Sequence, residues 1–151
     1  MWLELLRLTL TSVHVLVEAL WFGAMAYSIA VVQPRILADA GSAAAAEPLA
    51  TTIAAGARWK VVGLIATLVV TGVALALLHE NRTPLWWVVT GVRALILLTV
   101  GGLFWHVSWR MWPRRIFALP AEIPGHQAAF RRIGWTMLSL VGAFVALGVD
   151  L

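Results

Sequence analysis

The residues from Thr11 to Pro34, TSVHVLVEALWFGAMAYSIAVVQP, form an apolar run long enough to cross a bilayer, yet they carry His14 and Glu18. A spacing of i, i+4 puts the two side chains on one face of a helix. An ionisable pair in hydrocarbon costs several kcal/mol unless it is partnered, so it marks a site and requires a partner elsewhere in the chain.

The rest of the chain has the same character. Of its 151 residues, 62% are hydrophobic and 12% are charged, about half the charged share of a soluble domain. The apolar residues fall into four blocks, which predict helices over about 8–32, 61–78, 85–107 and 133–149. The expected fold is therefore all-α: one domain, 1–151, forming an integral membrane bundle of four transmembrane helices. Pro34 is expected to end the first helix, because proline cannot continue one. The Ala-rich stretch that follows reads as a connector with a short interfacial helix after Pro48. Pro113, Pro120 and Pro124 are expected to break the last loop into turns. Gln33-Pro34-Arg35-Ile36 and Pro113-Arg114-Arg115-Ile116 hint at a duplicated helical hairpin.

Charge and residue type exclude several classes. With no cysteine, disulfides and thiolate metal sites are impossible. The net charge of +4 does not point to nucleic acid, because the basic residues flank the apolar blocks instead of forming a basic domain. Eight of them (Arg35, Arg58, Lys60, Arg110, Arg114, Arg115, Arg131 and Arg132) lie in the two long loops, against Arg7 and Arg82 on the opposite side. The positive-inside rule then places the long loops in the cytoplasm and both termini outside. Trp2, Trp59, Trp86, Trp87, Trp109 and Trp112 sit at predicted helix ends, as interfacial anchors. Glu4 stands where a secretory signal would be basic, so the first block is expected to be retained.

Depth follows from a rise of about 1.5 Å per residue. Counted from the outer side, His14 lies roughly 9 Å in, Glu18 roughly 15 Å and Arg93, on the third helix, roughly 12 Å. Glu18 is the acid available to Arg93 at that depth, which predicts a Glu18–Arg93 pair with His14 in the same polar cluster. His106 lies roughly 32 Å along the third helix, at the interface, too deep to share a ligand with His14. Among soft donors, Met25 follows His14 by about three turns on nearly the same face, and thioether with imidazole suits copper. Motifs for nucleotide binding or acyl transfer are absent, so a non-enzymatic role is expected.

His14, Trp21, Gly23 and Pro34, followed by Arg58-Trp59-Lys60 and Thr71-Gly72, resemble the copper resistance protein D (CopD) group over roughly 10–107. That resemblance implies a small bacterial inner-membrane protein that handles copper, with His14 and Met25 as the candidate ligands. The same helices are similar to the HemJ-type protoporphyrinogen oxidases, where a first-helix histidine is associated with haem b. His14 falls at that histidine, and Arg93 falls about where those proteins carry a lysine. A third expectation is an accessory subunit, in which Glu18–Arg93 is structural. The expected partners are the lipid bilayer and either further copies of the chain or a larger membrane complex.

Overall fold

The computed structural model describes residues 1–148. Its helices are α1 (Trp2–Tyr27), α2 (Gln33–Ala40), α3 (Ala43–Ala55), α4 (Arg58–Leu78), α5 (Pro84–His106), α6 (Trp112–Ile116) and α7 (Ile123–Ala146), with π-helical turns at Ser28–Val32 and Val107–Met111. No strand occurs among the described residues.

Pro34 does not end the first helix. The chain stays helical from Trp2 to Ala40 and stops at Gly41, whose left-handed φ of 69° suits glycine. A proline inside an α-helix clashes with the carbonyl four residues back and removes one hydrogen bond. The π turn before Pro34 widens the helix by one residue, and the Gln33 N–H reaches back to the Ser28 carbonyl. The third apolar block repeats the device. The Trp112 N–H bonds to the Val107 carbonyl just before Pro113, and the helix runs on to Ile116.

Of the other prolines, Pro120 stands in the expected turn between α6 and α7, and the rest sit inside helices or open them. Pro48 lies within α3, which starts earlier, where the Ser42 hydroxyl accepts from the Ala45 N–H at 3.2 Å. Pro124 stands in the first turn of α7, where its missing N–H costs nothing. The fourth long helix therefore starts at Ile123, well before the expected position near Ile133. Its expected end at Val149 lies outside the described residues. Thr83 caps α5 by accepting from the Trp86 N–H at 3.2 Å, with Pro84 at the first helical position.

α1 packs against α4 and α7, and α5 packs against α7. The core takes one layer from each: Trp21 of α1, Leu68 of α4, Val100 of α5, and Met137 with Val141 of α7. The outward faces are apolar as well, with Leu16, Leu20, Val70, Leu77, Leu95 and Leu98 exposed. Three helical segments, Trp2–Ala40, Arg58–Leu78 and Pro84–Ile116, are long and apolar enough to cross a membrane. α7 carries Arg131 and Arg132 within its length, which lowers its hydropathy. Of the tryptophans expected at helix ends, Trp86 is instead buried and stacked on His79, with ring centroids 5.0 Å apart.

Candidate functional site: a buried His–Glu–Arg cluster

α1 presents His14 and Glu18 on one face, toward α4, α5 and α7, and both are buried. Arg93 reaches in from α5, and its Nη2–H donates to Glu18 Oε1. His14 Nε2 stands 3.0 Å from the same carboxylate oxygen and 3.5 Å from Arg93 Nη2. The expected cluster of His14, Glu18 and Arg93 is thus assembled around one oxygen atom.

Thr71 of α4 completes it on the far side of the ring, with Oγ1 2.6 Å from His14 Nδ1. Its hydroxyl also lies 2.7 Å from the Thr67 carbonyl, four residues back. When the hydroxyl donates to that carbonyl, its oxygen is free to accept from Nδ1–H; when it turns, it donates to a bare Nδ1. Glu18 Oε1 is the acceptor at hand for Nε2–H. One rotation of a hydroxyl hydrogen therefore serves Nδ1 with or without its proton, without moving a heavy atom. The depths of the charged residues do not single out Thr71, although Thr71-Gly72 belongs to the motif that carries the CopD resemblance. A depth count from the outer end of α4, at Leu78, puts it roughly 10 Å in, level with His14.

Two glycines and an aromatic ring shape the site. A Cβ on Gly72 would lie 3.3 Å from His14 Cε1, and one on Gly148 would lie 3.0 Å from Arg93 Nη2. Phe144 of α7 covers the guanidinium, whose carbon sits 4.5 Å from the ring centroid. Such a desolvated cation–π contact contributes about 2 kcal/mol. Among the described residues Arg93 Nε has no hydrogen-bond partner, so Phe144 and Glu18 carry the charge between them.

The remaining candidates lie elsewhere. Met25 packs against the Trp21 core layer, about 16 Å along the helix from His14 by its rise. His106 ends α5 on the surface, His79 bonds the Asn81 carbonyl at 3.1 Å, and His126 lies in the first turn of α7, where its backbone N–H donates to the Glu122 carbonyl. Among the described residues no group of three or more His, Asp or Glu side chains converges on a point that would hold a metal. Both His14 nitrogens already face protein partners, and a guanidinium stands beside Nε2. A copper ion or a haem iron does not fit this arrangement unless Glu18 or Thr71 lets go. No family model, curated protein or solved structure matches the chain. The likeness to the CopD group therefore stands on its motif residues alone, of which Trp21 is a core residue here.

A second polar constellation, absent from the expectations, ties the connector down at the other end of the bundle. Arg115 holds Glu47 of α3 with two hydrogen bonds, at 2.5 and 2.7 Å, and Gln127 adds one at 3.2 Å. The guanidinium lies between Trp112 and Phe130, 5.3 and 4.9 Å from their centroids. Burial alone raises the Glu47 carboxyl, but the hydrogen bonds from Arg115 and Gln127 and the Arg115 charge outweigh it and hold it below its usual value of 4.5.

Proposed function

We propose that the chain is a four-span membrane protein and that its working element is a proton-exchanging clasp, His14–Glu18–Arg93–Thr71, in the outer half of the bundle. α7 crosses with the others in this proposal, because Met137, Val141 and Phe144 pack against helices that are apolar enough to cross. The basic segments face the cytoplasm. The observation that carries the proposal is the pair of acceptors on the histidine: Glu18 at 3.0 Å from Nε2, and a threonine hydroxyl at 2.6 Å from Nδ1 that can reverse its bond.

In this proposal the protein is a membrane component and not an enzyme. The cavity of about 440 Å³ is lined by none of the four clasp residues, and a groove on α4 reaches Thr71. Below Glu18 the Trp21, Leu68, Val100, Met137 and Val141 layer is apolar, so the clasp exchanges protons with one side only. Ring-nitrogen NMR on histidine-labelled protein in bilayers tests this. His14 is expected to keep its proton on Nε2 throughout, and Thr71→Val to abolish the hydrogen-bond signature at Nδ1 alone. A ring protonated only at Nδ1 would overturn the clasp. So would stoichiometric copper, or a haem absorption band lost in His14→Ala, on the same sample.

A further inference from the structure

A cavity of about 440 Å³ lies at the end of the bundle away from His14, within the range of small-molecule sites. The two π turns open it: Ile29 and Val32 line it from one, Val107 from the other. α3 covers it through Ala46 and Ala50, held there by the Glu47–Arg115 tie. Most of the lining is apolar. Its charged groups are Arg58, Arg115 and Arg131, and no acidic side chain lines it. Arg115 is neutralised by Glu47, but among the described residues neither Arg58 nor Arg131 is within ion-pair distance of a carboxylate. α4 also starts at this cavity without a capping side chain, so the positive end of its dipole adds to the two arginines.

An apolar chamber with two unneutralised guanidiniums has the complement of an anionic lipid. We propose that this cavity binds one anionic phospholipid of the cytoplasmic leaflet, acyl carbons against Ile29, Val32 and Val107, phosphate between Arg58 and Arg131. Basic pockets between membrane helices on the cytoplasmic side take such headgroups. The inference rests on the membrane placement proposed above and is independent of the His14 clasp.

Native mass spectrometry of the full chain, with phosphatidylglycerol or phosphatidylcholine added in turn, tests it. One phosphatidylglycerol is expected to be retained at least about tenfold better than phosphatidylcholine. The double variant Arg58→Gln/Arg131→Gln is expected to lose that preference, and Ala50→Trp, which fills the chamber, to lose both lipids. Arg114→Gln/Arg132→Gln, which removes equal charge outside the cavity, is the control and should keep the preference. Equal retention of the two lipids, an unchanged Arg58→Gln/Arg131→Gln variant, or an equal loss in the control would overturn the proposal. His14 ring spectra unchanged in all variants would separate its failure from that of the clasp.

Discussion

Arg115 and Glu47 meet across 68 residues of chain, Nε–H donating to one carboxylate oxygen at 2.5 Å and Nη2–H to the other at 2.7 Å. Two parallel bonds of this kind fix orientation as well as distance. They turn an Ala-rich connector, which by composition alone has little reason to settle anywhere, into a lid on the cavity.

Removing one partner leaves the other half-buried and unpaired. Arg115→Ala is expected to lower stability by about 3 kcal/mol, read as thermal unfolding in detergent, with Glu47→Gln less damaging because an amide still accepts. No change in either variant would show that the connector is held by its apolar contacts.

The same tie has a defined acid limit. The folded Glu47 carboxyl lies below its ordinary value of 4.5, so its contribution is complete above that pH and is lost as pH falls through the lowered folded value. Protection of the α3 amides from hydrogen exchange should hold down to about pH 4.5 and fail only below it. Loss near pH 6 would assign the lid to another group.

Glu18 and Arg93 should be strongly coupled. Glu18→Leu leaves a buried guanidinium without its carboxylate and is expected to cost about 3–5 kcal/mol, whereas the double variant with Arg93→Leu should recover much of that loss. Additive losses in the cycle would count against a direct pair.

Glycine at position 72 is set by a neighbour and not by its own backbone. Gly72→Ala puts a methyl group 3.3 Å from His14 Cε1, which must shift by a few tenths of an ångström. The His14 ring resonances should move. Gly63→Ala on the same helix meets nothing within 4 Å and should leave them in place.

Met25 separates packing from metal chemistry. Met25→Leu conserves volume in the core and is expected to change stability by less than about 1.5 kcal/mol, with no change in copper content. Copper lost in that variant alone would restore the pair of His14 and Met25 as ligands.

Much of the cluster was legible because hydrocarbon restricts what a charge can do. Depth along two helices was enough to bring Glu18 to Arg93, and apolar block length was enough to find three segments long and apolar enough to cross a membrane. Thr71 was legible only as part of Thr71-Gly72; its bond to His14 was not, since a threonine bonding back to its own helix is ordinary and its second bond depends on rotation about α4. Most of the prolines misled. Pro34, Pro113 and Pro124 read as breaks and Pro48 as a helix start, whereas Pro34 and Pro113 follow wider turns, Pro124 sits in a first turn and Pro48 in a helix interior; Pro120 stands in a turn as expected. The Glu47–Arg115 tie joins segments too distant in sequence for spacing to connect them.

The matching π turns set a common register for the two halves of the chain. His14 and Arg93 are 79 residues apart, and the same interval separates Pro34 from Pro113 and the first π turn from the second. Measured from its own widened turn, each half therefore brings a different basic group, an imidazole or a guanidinium, to one level. There a single carboxylate, Glu18, serves both.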